Sequence, residues 1–151
     1  MLVRQNNQRK KANLELAQKN TLITEQKKEI TDSIQYASRI QNALLPPGDY
    51  IDQLIPERFI IYFPRDIVSG DYYWITEKNG KVICVTADCT GHGVPGALMS
   101  MLGNSYLDEI VNNREITDPA RILDELTREV RKALRQKGER QETKDGMDIA
   151  L

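Results

Sequence analysis

The sequence predicts an α+β fold in which one long helix precedes a mixed domain. Three observations carry that reading. Residues 1–45 contain no proline or glycine and are rich in Lys, Gln, Glu, Asn and Ala. A hairpin signal follows, with largely apolar runs on either side of Asn79-Gly80. Two apolar-striped stretches then open at Val94-Pro95 and Asp118-Pro119.

Residues 1–45 read as a single helix. Leu16, Ile23, Ile30, Ala37 and Leu44 recur at intervals of seven, as one seam of a coiled coil does. The companion seam of Ala12, Lys19, Gln26, Ser33 and Ile40 is mostly polar, so the pairing is marginal and needs neighbours to hold it. The alternative is an amphipathic helix lying on its own domain. The clean seam favours a coiled-coil linker over 1–45, with a homodimer as its natural partner arrangement. Pro46-Pro47 ends the helix, because proline lacks the N–H and restricts the residue before it.

Residues 46–151 form the second domain. Arg58–Phe63 is expected to be a strand, closed by Pro64, and Ile67–Ile75 another. Asn79-Gly80 accepts the positive φ of the tight hairpin turns, and Lys81–Ala87 returns as a nearly continuous apolar strand, expected to be central. A helix from Val94 to Val111 carries a mainly apolar stripe of Leu98, Met101, Leu102, Ser105, Tyr106, Glu109 and Ile110. Asp118 caps the next helix, whose apolar face is Ile122, Leu123, Leu126, Val130, Ala133 and Leu134, and Gly138 is expected to end it. Residues 138–146 read as polar loop, and Met147–Leu151 as the start of a further strand.

Composition narrows the function classes. The chain has 151 residues, 40% hydrophobic and 28% charged, with mean hydropathy -0.53 and net charge -1. Residues 1–45 carry 8 Lys/Arg against 4 Asp/Glu, net +4; the remainder carries 13 against 18, net -5. The basic excess is spread along a helix without interleaved aromatics, which reads as a solvated face rather than a nucleic-acid site. No transmembrane run and no signal peptide is visible. Cys84 and Cys89 have no His or Cys cluster around them, so neither a disulfide nor zinc is expected, and a reducing cytoplasm is the natural compartment.

The chemistry concentrates in two places. Ile67-Val68-Ser69-Gly70-Asp71-Tyr72-Tyr73 and Val85-Thr86-Ala87-Asp88-Cys89-Thr90-Gly91-His92-Gly93 each place an aspartate beside a glycine turn. The hairpin brings Asp71 and Asp88 to the same end of adjacent strands. Two such carboxylates suit a hard divalent cation, Mg²⁺ or Mn²⁺, and point to metal-assisted chemistry on a phosphate.

A family resemblance rests on these residues. Ile40-Gln41-Asn42-Ala43-Leu44-Leu45-Pro46, then Ser69-Gly70-Asp71-Tyr72-Tyr73, then Asp88-Cys89-Thr90-Gly91-His92-Gly93, with Asp145-Gly146-Met147-Asp148-Ile149-Ala150-Leu151, resembles the metal-dependent serine/threonine phosphatases of the 2C type, in their bacterial SpoIIE/RsbU-like branch. It covers residues 40 to 151, about the first half of such a domain. The resemblance implies a partial α-β-β-α sandwich with a binuclear Mn²⁺ or Mg²⁺ centre. It assigns Asp71 and Asp88 as metal ligands, with Cys89 contributing its backbone carbonyl. Gly70, Thr90, Gly91, His92 and Gly93 would shape the loop. The metal-bound water would be the nucleophile, with no side chain acting as one.

The same resemblance implies a phosphoprotein substrate of the anti-sigma-factor-antagonist kind and an upstream sensor module acting through the helical linker. Further aspartates of the family pattern lie beyond Leu151, so residues 1–151 alone are expected to be an inactive fragment. Other readings stand beside these. Arg65 is a candidate for the substrate phosphate or a surface ion pair. His92 is a candidate general acid, but reads better as a residue ordering the loop. Tyr72, Tyr73 and Trp74 read as packing. A non-catalytic dimerisation or signal-relay module, and a nucleotide phosphohydrolase, are the alternative functions.

Overall fold

The computed structural model describes residues 2–136 and 145–151. The chain divides into two compact units, Met1–Tyr36 and Ala37–Leu151. The elements in order are α1 (Leu2–Leu44), α2 (Gly48–Leu54), β1 (Tyr72–Lys78), β2 (Lys81–Cys89), α3 (Gly93–Asp108), a π-helical turn (Glu109–Asn113), α4 (Pro119–Ala133) and β3 (Met147–Ala150). No helix among the described residues is long and apolar enough to cross a membrane.

The first unit is α1 up to Tyr36. Its seam residues Leu16, Ile23 and Ile30 are all more than half exposed. A single helix that exposes so much aliphatic surface lacks the burial that normally stabilises helices in proteins.

In the second unit the three strands form one antiparallel sheet in the order β1-β2-β3. The central place of β2 agrees with its apolar sequence. Asn79 and Gly80 have φ of 54° and 72°, as the favoured two-residue hairpin requires. One face of the sheet is core. Trp74, Ile83, Val85 and Cys89 pack there with Leu107, Ile110, Ile122 and Leu126 from the helices. The other face carries Tyr73, Ile75, Cys84, Thr86 and Asp88 at alternate positions, half-buried or exposed.

Four expectations need correction. Arg58–Phe63 forms no strand. No strand among the described residues pairs with it, so its backbone has no ladder to join. The strand expected from Ile67 begins only at Tyr72. Backbone groups of 69–71 are bonded by side chains instead: Ser69 N–H donates to Gln41 Oε1 at 3.0 Å, and Asp71 N–H to Ser69 Oγ at 3.0 Å. The α-helical part of α3 ends at Asp108 and gives way to the π turn. Its buried face is Gly96, Ala97, Met99, Ser100, Gly103, Asn104 and Leu107, not the stripe through Leu98, which is 62% exposed. Small residues set that face, because they allow close approach. A Cβ on Gly96 would lie 2.6 Å from the Gly91 carbonyl oxygen, and one on Gly103 would overlap the Tyr72 hydroxyl.

The helix at α4 follows the sequence closely. Asp118 Oδ1 accepts from Arg121 N–H at 3.0 Å, and Ile122, Leu126 and Val130 are buried. The expected stop at Gly138 lies outside the described residues; the α-helix ends at Ala133. The short helix α2 had no clear sequence signal.

Candidate metal centre

The two aspartates meet where the hairpin brings the strand ends together. Tyr72 pairs with Ala87, and extending that register by one residue sets Asp71 opposite Asp88. Partial burial, then hydrogen bonding to Asp88 and repulsion from it, raise the Asp71 carboxyl above the ordinary carboxylate range. Two carboxylates that close repel unless a proton or a cation lies between them. The structure carries one further acid in the same row: Asp148 on β3 sits directly opposite Asp88 and shares its face. A depression of about 430 Å³ lies in front of Asp88 and Asp148.

The loop after β2 is built to turn sharply and stay in place. Gly91 and Gly93 have φ of 86° and 60°, both in the region glycine enters without strain. Thr90 N–H donates to the Gly146 carbonyl at 2.9 Å, and Gly146 N–H to Thr90 Oγ1 at 3.1 Å. These bonds stitch the loop to the strand that carries Asp148. Gly70 lies beneath the loop, and a Cβ there would come within 3.0 Å of the Gly91 oxygen and 3.2 Å of the Cys89 oxygen. The Cys89 carbonyl therefore lies close to the backbone leading into Asp71. The Cys89 side chain points the other way, into the core. Burial first, then Asp88 and Asp71, push its thiol up to about 12. A thiol held protonated is no nucleophile.

The oxygens of Asp71, Asp88 and the Cys89 carbonyl are hard donors and fit a divalent cation of the Mg²⁺ or Mn²⁺ type. Repulsion between the two carboxylates is what such an ion relieves. Among the described residues, no group of three or more His, Cys, Asp or Glu side chains is placed to hold a metal. The set is therefore sparse, and water would supply much of the coordination.

Of the remaining candidates, His92 is bonded through Nδ1 to Asp66 Oδ2 at 3.0 Å. Arg65 is exposed on the bend before Ile67. Tyr72 and Trp74 are core, and Tyr73 makes an edge-on aromatic pair with Tyr62 at 5.8 Å. Tyr62 donates to the Asp71 carbonyl at 3.2 Å.

Sequence reasoning missed the support beneath Asp71. Gln41, near the end of α1, is 5% exposed. Its amide donates to the Ser69 carbonyl at 2.6 Å and to Ser100 Oγ at 2.8 Å, and accepts from Ser69 N–H. Ser100 Oγ in turn donates to a carbonyl, with Ser69 O at 3.1 Å and Ala97 O at 2.9 Å as acceptors. A glutamine in a polar helix gives no signal of its own. Only its position in the motif Ile40-Gln41-Asn42-Ala43-Leu44-Leu45-Pro46 marked it. Asp148 was visible as a strand residue, but its register with Asp88 was not.

A family model described as Stage II sporulation protein E (SpoIIE) matches residues 78–143. Among solved structures, the SiaA-PP2C domain of Pseudomonas aeruginosa matches with a TM-score of 0.66 and 38% sequence identity, over 82% of this chain. The match takes in 48% of that domain, so the chain spans about half the length of its solved relative. No curated protein matches. Fold, motif order and both comparisons relate this chain to the SpoIIE-like branch of the 2C-type phosphatases, over part of such a domain.

Proposed function

We propose that the chain belongs to a protein that hydrolyses phosphoserine or phosphothreonine on a signalling protein, using Mn²⁺ or Mg²⁺ held by Asp71, Asp88 and the Cys89 carbonyl. The observation that carries this reading is the close approach of Asp71 and Asp88 at the paired strand ends, in a fold related to 2C-type phosphatases. Asp71, Asp88 and the Cys89 carbonyl would hold the divalent ions, which would supply activation of a water nucleophile and charge stabilisation at the phosphate. The chain's own part is to hold and orient. The bonds to Ser69 keep the peptide before Asp71 in place. The stitched loop fixes the Cys89 carbonyl. The first turn of α3 carries no side-chain cap and no acidic residue, which favours an approaching phosphate.

Regulation belongs to the same proposal. The helix that carries the heptad seam also carries Gln41, and Gln41 bonds the peptide two residues before Asp71. A shift of α1 that withdraws Gln41 disturbs Asp71. In this reading an upstream sensor acts through α1 in a homodimer. A protein of the anti-sigma-factor-antagonist kind is the phosphoprotein substrate, and the setting is the cytoplasm. A non-catalytic relay module is the second reading, favoured by the exposed seam of Leu16, Ile23 and Ile30 along α1.

The deciding experiment is Mn²⁺-dependent phosphate release from a phosphoserine peptide by the complete protein. The expected result is turnover that falls about 100-fold or more in Asp88→Asn, since metal charge stabilisation is worth several kcal/mol. Metal binding by the complete protein without turnover favours the relay module.

A further inference from the structure

A cavity of about 470 Å³ lies where α1 ends against β1 and α3. One wall is the helix stop, Leu44-Leu45-Pro46-Pro47. Trp74, Thr76 and Asn104 also line it and are 5%, 8% and 8% exposed, so they form its floor. Asp108 and Ser105 stand exposed at its rim. The volume is that of a site for a small organic molecule.

Charge and hydrogen bonding say which kind. Among the described residues that line the cavity, Asp108 alone carries a charge. An exposed carboxylate on a helix is normally free to swing, but this one is held. Thr76 Oγ1 donates to Asn112 Oδ1 at 3.1 Å, and the Asn112 side-chain amide donates to Asp108 Oδ1. The bonds run from a buried strand residue out to the exposed acid. Asn112 belongs to the π turn, and such turns recur at functional sites. One donated bond leaves an ionised carboxylate most of its acceptor capacity. Lys78, whose ammonium bonds the Asn112 carbonyl at 3.0 Å, is paired with Glu115 at 2.9 Å. Asp108 is therefore a positioned anion at the mouth of a cavity with an apolar wall and an aromatic floor.

We propose that this cavity binds a small organic ammonium ion, its charge on Asp108 and its apolar body against Trp74, Met101 and the Leu44–Pro47 wall. A carboxylate ligand meets Asp108 with like charge, and a neutral one forgoes the charge-assisted bond. The occupant touches the end of α1 on one side and α3 on the other. The direct bond across that joint is long, from Asn104 Nδ2 to the Leu44 carbonyl at 3.3 Å. Binding therefore tightens the joint. Neither the metal nor turnover enters this binding, which stands apart from the phosphatase reading.

The test titrates the complete protein with three probes of similar shape: phenethylammonium, 2-phenylethanol and 3-phenylpropionate. The readout is the indole N–H signal of Trp74 in nitrogen–proton NMR, identified by its absence in Trp74→Phe. Phenethylammonium is expected to move that signal saturably, with a Kd of about 1 mM or tighter, the range open to so small a ligand. The alcohol is expected to bind about 10-fold more weakly, and the carboxylate not at all. Asp108→Asn is expected to bring phenethylammonium down to the affinity of the alcohol, the loss of one bond to a charged group. Ser105→Trp, at an exposed helix position, is expected to fill the cavity and abolish binding with the Tm near wild type. Amide exchange at Leu44 and Leu45 is expected to slow in the bound protein. No saturable shift, equal affinity for the three probes, unchanged affinity in Asp108→Asn, or full binding by Ser105→Trp overturns the site. Unchanged exchange at Leu44 and Leu45 overturns the tightening.

Discussion

Asp71 and Asp88 face each other with like charge, and the metal-free fold bears the cost. Because the Asp71 carboxyl is raised in the folded protein, folding favours its protonated form. The stability from that form is fully present below the ordinary carboxylate value and is lost as pH rises through the raised one. Above that raised value the Asp71 charge therefore opposes folding. Asp71→Asn is expected to raise the Tm of the metal-free protein at neutral pH, with the gain vanishing in acid. Mn²⁺ is expected to raise the wild-type Tm more than that of the variant. Calorimetry at two pH values with and without metal checks both; a lower neutral-pH Tm for metal-free Asp71→Asn contradicts the repulsion. At this scale the acids were legible in the sequence, since each stands beside a glycine turn at a strand end. Gln41, Asp66 and Asp148 were not, because each meets its partner across 26 or more residues.

Among the elements, those with strong local signals came out as expected. Asp118-Pro119 starts α4, and Asn79-Gly80 makes the hairpin, because a cap and a positive-φ turn are decided within a few residues. Arg58–Phe63 has a strand's composition and forms none, since a strand exists only with a neighbour. The face of α3 was displaced because a count of apolar residues overlooks Gly96, Ser100 and Gly103, whose smallness brings the backbones together. The joint between α1 and the Asp71 segment depends on one buried amide. Gln41→Ala leaves Ser69 N–H without its partner, while the Ser69 carbonyl keeps Ser100 Oγ, and is expected to cost about 1–3 kcal/mol. It is also expected to weaken Mn²⁺ binding without touching a ligand. Chemical denaturation and metal titration measure the two effects; unchanged metal affinity in a destabilised Gln41→Ala separates the joint from the site.

For the whole molecule, two apolar surfaces stand out. One is the seam of Leu16, Ile23 and Ile30 along α1. A single helix gains nothing from aligned aliphatic residues in water, so self-association is the expected use of the seam. Sedimentation of the complete protein is expected to show a dimer that Ile23→Glu weakens; a wild-type monomer excludes the coiled coil. The other surface is the sheet face opposite the helices, next to which Phe59 and Phe63 are 84% and 87% exposed. A cleft of about 350 Å³ between the Phe59–Phe63 segment and that face reaches Asp71.

By itself the sequence determined the long helix, its stop at Pro46-Pro47, the hairpin, the cap of α4 and the two aspartates. Each is set by backbone preference or by residues close in the chain. Tertiary structure alone decided which face of α3 is buried, that Arg58–Phe63 finds no strand partner among the described residues, that Asp148 stands opposite Asp88, and that Gln41 bonds Ser69 and Asp66 bonds His92. Those outcomes depend on which distant groups find one another, and a hydrogen bond or a ladder forms only where both partners arrive.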